Sequence, residues 1–245
     1  MPFTPEFGAH DIGQAGLDAA LARSDNPALL RRLVSISRRQ FGWFSRRSSR
    51  ADEYVWVADL VGRGPPARIA DIGAGVSPLP ILLAGHGHAV VTIDGSDIAR
   101  IPGQGEREWD GWGYLDYAAL NGRISSINRR AGEAMLAAGS LDACYSVSVV
   151  EHMAAGERRA LCELIAGWTR AGADLLLTVD LVPGTDDLWN MNQGRVVESL
   201  ADHGSFGQLA EEVERAGFRV AAHSIRRGYA DRPVTDLGLL HGVRV

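Results

Sequence analysis

The segment Asp71 to Pro80, DIGAGVSPLP, puts an acid at the end of an apolar run, two glycines in a tight turn, and Ser77 and Pro78 at a helix opening. Gly73 and Gly75 remove side chains where a backbone must turn sharply and approach a ligand, and open α/β sheets bind ligands beyond the carboxyl ends of their strands. The competing reading is a plain glycine-rich turn between strand and helix. A dinucleotide fingerprint needs a third glycine where Pro78 stands, and proline withholds an N–H from the helix end that would hold a diphosphate. Asp71 before the turn disfavours a phosphate and favours an ammonium group. Asp94, at the end of the next apolar run, suits the two hydroxyls of a ribose, or the cap of a short helix after it. Glu151 and His152 follow a later apolar run. A histidine there can take a proton from a hydroxyl or amine near neutral pH, and the same pair also suits helix capping.

Positioning these groups requires strands that share one rim. Seven short apolar runs read as strands: 68–74, 88–95, 123–129, 141–150, 174–181, 218–225 and 239–245. Helical patterns fall between most of them, at 78–86, 96–101, 154–171 and 205–216, the last opening at Ser205 and closing at Gly217. A further amphipathic helix begins at Ala51 and stops at Gly62 and Gly64. The expected fold is therefore α/β and doubly wound, with a mostly parallel seven-stranded sheet covered on both faces. RRGYADRPVTDLG, between the last two runs, is too irregular for a crossover helix, so the last strand is expected to be antiparallel. Residues 1–50 read as an N-terminal helical extension or lid, an appendage to a domain spanning 51–245, with a helix start at Asp25 or Asn26 before Pro27. The Gly- and Trp-rich segment 102–121 reads as an active-site insertion, in which Trp109, Trp112 and Tyr114, together with Trp189, are placed to wall off water or simply to pack.

DIGAGVSPLPILLAGHGHAVVTIDGSD resembles the opening of a class I S-adenosylmethionine-dependent methyltransferase. Gly132-Glu133-Ala134, LDACYSVSVVEHM and Arg215-Ala216-Gly217-Phe218 resemble later blocks of that superfamily, and the likeness covers about residues 51–245. The donor, S-adenosylmethionine, carries an ammonium group and no phosphate, in keeping with Asp71. The resemblance implies a Rossmann-like methyltransferase fold and a donor site of Asp71, Gly73, Ala74, Gly75, Asp94, Gly95, Glu133, Ala134 and Ser148. Glu133 would stand beside the adenine amino group, where the family more often has aspartate. His152, with Glu151, is the candidate base. Some relatives hold a divalent metal with a Glu, a His and an acid three residues before the Glu; Ser148 occupies that position here, so no metal is expected. His203 resembles a late block that either faces the acceptor or caps a helix.

The net charge of −5 argues against general affinity for nucleic acid. All 25 basic residues are arginines, and seven of them lie between Arg31 and Arg50 with no acid among them, interleaved with Phe41, Trp43 and Phe44. That stretch reads as a solvated helix face, or as a patch for an anionic acceptor such as a phosphorylated compound or RNA. Cys144 and Cys162 support neither a disulfide framework nor a zinc site. The N-terminal residues carry neither a basic nor an apolar signal, and no run nears the roughly 18 apolar residues of a membrane span, so a cytoplasmic protein without membrane contact is expected. No feature specifies an oligomeric state. Methyl transfer to a small-molecule acceptor, a sugar or a secondary-metabolite intermediate, is the leading expectation. A non-catalytic donor-binding scaffold, an RNA methyltransferase and an NAD-dependent oxidoreductase are its alternatives.

Overall fold

The computed structural model describes residues 11–96, 99–100, 113–192, 194–229 and 235–245. All seven apolar runs are strands of one sheet: β1 (Arg68–Ile72), β2 (Ala89–Ile93), β3 (Ile124–Ile127), β4 (Leu141–Val147), β5 (Thr169–Leu181), β6 (Phe218–Arg226) and β7 (Asp236–Arg244). Their spatial order is β6-β7-β5-β4-β1-β2-β3. β1 to β5 run parallel, and β7 lies antiparallel between β5 and β6. Parallel neighbours need a crossover of a dozen or more residues, which the stretch between β6 and β7 does not supply as helix among its described residues. The chain winds outward from β1 to β3 and then returns to β4 on the other side of β1, creating a switch point between β1 and β4.

Helices cover both faces. α1 (Gly13–Arg23), α2 (Pro27–Phe41), α3 (Ser48–Val61) and α4 (Leu79–Gly85) lie on one side, and α5 (Ala155–Trp168) and α7 (Phe206–Arg215) on the other, with the short α6 (Leu200–His203) before α7. Local signals set several ends. Asn26 Oδ1 accepts from Leu29 N at 3.1 Å and Pro27 fills the first turn of α2, while Ser205 and Gln208 form a capping box at the start of α7. Two expectations are corrected. The helix expected to reach residue 171 ends at Trp168, because Thr169 already pairs with Leu141 in the sheet. The helical pattern at 96–101 is not a helix at Ala99–Arg100, which pair in parallel with Tyr114–Leu115; a six-residue segment is too short to sustain a helix by itself. Trp109 and Trp112 lie outside the described residues.

The described part of the N-terminal segment, residues 11–50, expected as an appendage, contributes side chains to the core. Leu30, Leu33, Val34 and Phe41 form one apolar stripe of α2, and they join Phe44, Val57, Ile69, Leu79 and Tyr145 in a single buried cluster. The arginine run divides accordingly. Arg31, Arg32, Arg39 and Arg46 are exposed, Arg38 pairs with Asp11 at 3.1 Å, and Arg47 and Arg50 turn inward. Cys144 and Cys162 are free and buried in the cluster of the opposite face. Among the described residues no helix is long and apolar enough to cross a membrane.

That opposite face is fastened by Arg158 of α5, which is 1% exposed. It grips Glu212 of α7 through Nε at 2.7 Å and Nη2 at 3.0 Å, and Nη2 also donates to the His203 carbonyl at 2.9 Å. Arg158→Leu strands the Glu212 carboxylate in the interior, and denaturant unfolding is expected to register a loss of about 3–5 kcal/mol. A loss below about 1 kcal/mol would mean that this pair does not hold α5 to α7.

Candidate functional site

A cavity of about 680 Å³ opens at the switch point, walled by the β1–α4 turn, the ends of β2 and β4, the start of α3 and the chain after β5. Its first wall is the glycine turn. Gly73 has φ +71° and its N–H donates to the Ile93 carbonyl at 2.7 Å; a Cβ there would meet Val149 Cγ2 at 2.5 Å, so only glycine lets the turn pass the β4 rim. Gly75 has φ +48°, and a Cβ there would meet nothing nearer than the Gly113 carbonyl at 3.7 Å, leaving bare backbone facing the cavity. Asp94 Oδ2 accepts from Gly75 N at 2.7 Å and Oδ1 from Ser96 N at 2.8 Å, so this acid braces the turn as well as lining the cavity.

Tyr117, fully buried, ties down the other end of the turn. Its hydroxyl accepts from Ser77 N at 2.6 Å and lies 3.0 Å from the Ser77 carbonyl and 3.2 Å from that of Gly75. Asp71 is 2% exposed, and its Oδ2 has no hydrogen-bond partner. Burial pushes its carboxyl up to about 8, against the opposing effect of the Tyr145 hydroxyl.

The second wall begins where β4 ends. Ser148 is the one non-glycine residue with positive φ, at +48°, among the described residues. A buried network holds it there. Its N–H donates to the Thr178 carbonyl at 2.9 Å, and its hydroxyl and that of Thr178 both donate to Glu53 Oε1 at 2.6 Å. Arg50 Nη1 donates to Glu53 Oε2 at 2.6 Å and to Ser148 Oγ. The Ser148 hydroxyl, expected at the donor, is thus already engaged on the protein.

His152 lines the cavity. Its Nδ1 lies 2.8 Å from the Met191 carbonyl, and since a carbonyl only accepts, Nδ1 carries the proton and Nε2 keeps its lone pair. Burial pushes the imidazole down to about 4, with the Arg50 and Arg47 charges adding to the effect, so the ring is neutral at physiological pH. Glu151 lies behind the wall, fully buried, with Oε1 accepting from Asp180 N at 2.9 Å. Burial and the facing Asp180 carboxyl raise it. His203 is also buried, with Nε2 2.9 Å from the Glu151 carbonyl, and supports that turn from behind.

Not every expected residue gathers here. Gly95, Glu133 and Ala134 are outside the described cavity wall: Gly95 is exposed against Arg130, Ala134 is buried in the α5 and α7 cluster, and Glu133 projects to solvent from a tight turn at Ala131–Glu133. Conversely, Arg47 and Arg50, flagged only as members of the arginine run, and Tyr54, not singled out at all, line the cavity. Their i, i+3 and i+4 spacings, which put them on one helix face, were the available signal.

No family model matches the chain, and no curated protein matches it. Solved structures do. A 1,6-didemethyltoxoflavin-N1-methyltransferase from Burkholderia thailandensis, with 1,6-didemethyltoxoflavin and S-adenosylhomocysteine bound, is similar at 16% identity over 81% of this chain and 79% of that one, with a TM-score of 0.61. A putative S-adenosylmethionine-dependent methyltransferase from Listeria monocytogenes is similar at 12% identity over 79% and 98%, with a TM-score of 0.56. A magnesium protoporphyrin IX methyltransferase from Synechocystis PCC 6803, with S-adenosylhomocysteine bound, is similar at 18% identity over 81% and 83%, with a TM-score of 0.54. The fold is that of class I S-adenosylmethionine-dependent methyltransferases. Within this methyltransferase fold the glycine turn, Asp71 and Asp94 stand together at the switch point, where open α/β sheets take their ligands.

Tyr117→Phe removes the acceptor of the Ser77 N–H and leaves that buried group unpaired. It is expected to lower global stability by about 1–3 kcal/mol and to weaken S-adenosylhomocysteine binding in titration calorimetry. Unchanged values of both would show that the turn holds its shape without the tyrosine.

Proposed function

We propose that the protein is an S-adenosylmethionine-dependent methyltransferase acting on a hydroxyl or amine of a small molecule. The observation that carries this reading is the unpartnered, buried Oδ2 of Asp71 beside a glycine turn whose bare backbone faces the cavity. An ammonium group satisfies that oxygen; a diphosphate would meet a carboxyl instead, and a helix start that Pro78 denies one N–H. The donor-bound relatives with the same fold support the same choice.

The residues fit the donor as follows. Asp71 takes the ammonium, Gly73, Ala74 and Gly75 admit its chain, and Asp94 takes the ribose hydroxyls. The bound donor supplies an electrophilic methyl group on a sulfonium, so the protein needs no nucleophile of its own and acts by alignment. His152 Nε2, with its lone pair on the cavity and Nδ1 fixed by Met191, takes the proton that the acceptor loses. Glu151 acts from behind as a positioning residue: its carboxylate holds the β5 backbone at Asp180, and its carbonyl is seated on His203. A small acceptor is favoured because the cavity, lined on this side by Trp189, Met191 and Asn192, holds about 680 Å³, the size of a small-molecule site.

The direct test is calorimetric titration with S-adenosylmethionine, S-adenosylhomocysteine and NAD in turn; binding of the first two alone is expected, and binding of NAD alone would overturn the reading. Asp94→Ala should weaken S-adenosylhomocysteine by about ten-fold or more, through lost ribose bonds and a loosened Gly75. Donor binding should also depend on pH. Free Asp71 keeps its proton up to about 8, whereas an ammonium partner favours the carboxylate, so binding expels a proton and affinity climbs as pH rises from about 6 to about 8. Asp71→Asn should flatten that profile, and a flat wild-type profile would remove Asp71 from the ammonium site.

A further inference from the structure

The half of the cavity formed by the start of α3 carries two guanidinium groups, one more than the donor's single carboxylate calls for. Arg47 and Arg50 stand three residues apart at the start of α3 and face the same space as His152, Trp189 and Met191. Their side chains are 20% and 8% exposed. Each spends a single nitrogen on the protein. Arg47 Nη2 donates to Asp180 Oδ2 at 2.9 Å and to Thr235 Oγ1 at 3.3 Å, while its Nη1 makes no hydrogen bond among the described residues. Arg50 Nη1 serves Glu53 and Ser148, and its Nη2 and Nε make none among the described residues. A guanidinium offers five N–H groups in a planar fork, and two forks with unspent donors on one wall match the oxygens of a carboxylate or a phosphate.

The surrounding charges allow an anion there. Glu53 answers Arg50 and is turned toward Ser148 and Thr178, away from further ligands. Asp180 answers Arg47 but is packed against Glu151, and burial holds both carboxyls above their usual range, so the pair carries less than its full negative charge. The positive end of the 14-residue α3 adds to the same field, since Arg47 precedes its first turn with no side-chain cap. Trp189, half-buried on this wall with its backbone N–H donating to the Asp180 carbonyl at 3.0 Å, offers a flat face on the same cavity as the two arginines.

We propose that this half of the cavity is a subsite for a small planar acceptor bearing a carboxylate or phosphate, held by Arg47 and Arg50 with its ring against Trp189. The assignment rests on the donor reading of the other half. It is consistent with that donor's electrostatics, because an anionic acceptor is attracted to a sulfonium in the same cavity. It also gives a use to two members of the arginine run that helix solvation does not explain.

The experiment titrates the full chain, saturated with S-adenosylhomocysteine, with benzoate, phenyl phosphate and the uncharged benzamide, and repeats the series on Arg47→Gln. At least one anion is expected to bind about ten-fold or more tightly than benzamide, the stronger of the two telling carboxylate from phosphate. Arg47→Gln is expected to erase that preference while S-adenosylhomocysteine affinity is kept, which also shows that the variant is folded. Equal binding of benzamide and the anions, no anion binding to the saturated protein, or a preference that survives Arg47→Gln would each overturn the subsite. If the variant fails to fold, the wild-type comparison of the anions with benzamide still decides. Failure of S-adenosylhomocysteine itself to bind wild-type protein would instead sink the donor reading on which the subsite rests.

Discussion

Glu53 is fully buried, and its two carboxylate oxygens receive donors from three separate parts of the chain: Ser148 at the end of β4, Thr178 in β5 and Arg50 one turn earlier in α3. A buried carboxyl group is tolerated when both its oxygens are hydrogen-bonded, and here both accept. The consequence is geometric. α3 cannot slide along the sheet without breaking the bonds of Glu53 to Ser148 and Thr178 at once, so the arginines at its start are held against the cavity. Ser148 keeps its positive φ for the same reason, since that backbone costs about 1–3 kcal/mol and persists only where its surroundings over-determine it.

The opposite wall follows the same logic with weaker parts. The glycine turn has no side chains of its own to anchor it, and three neighbours supply what it lacks: the Ile93 carbonyl, the Asp94 carboxylate and the Tyr117 hydroxyl. Two of these come from β2 and the segment just after it, so the acid proposed to read the ribose also shapes the loop that admits the donor. Asp71 Oδ2, by contrast, is buried without a partner. Glu151 Oε2 is also buried without a partner, but it lies behind the wall, whereas Asp71 lines the cavity and is placed to take a ligand group.

The titrating groups at the rim are arranged so that few carry charge near neutral pH. His152 is held neutral by burial and by two nearby guanidinium groups, while Asp71 is held protonated by burial. A neutral imidazole with a fixed tautomer presents a lone pair at Nε2 over a wide pH range, the state a proton acceptor needs. The guanidinium groups of Arg47 and Arg50 line the same cavity from the start of α3.

Much of this was legible in the chain. Apolar runs bounded by glycine, proline and acids placed all seven strands, most clearly the inner ones, because strands buried on both faces must be continuously apolar, whereas β3 and β6 at the edges are largely open to solvent. The turn at Asp71–Pro80 and the acid at Asp94 announced the ligand end, since glycine spacing and helix-start chemistry are local properties. The antiparallel return of β7 followed from the absence of a crossover helix. What the sequence could not decide was which side chains meet across the fold. Arg47 and Arg38 look alike in the arginine run, yet one faces the cavity and the other pairs with Asp11, because that depends on how α2 and α3 pack on the sheet. Ser148 and Glu133 matched blocks of a familiar pattern, but the first is consumed by Glu53 and the second points to solvent. Strand and turn are set by neighbours along the chain; the contents of the cavity are set by Glu53, Tyr117 and Asp180, whose partners lie tens to more than a hundred residues away.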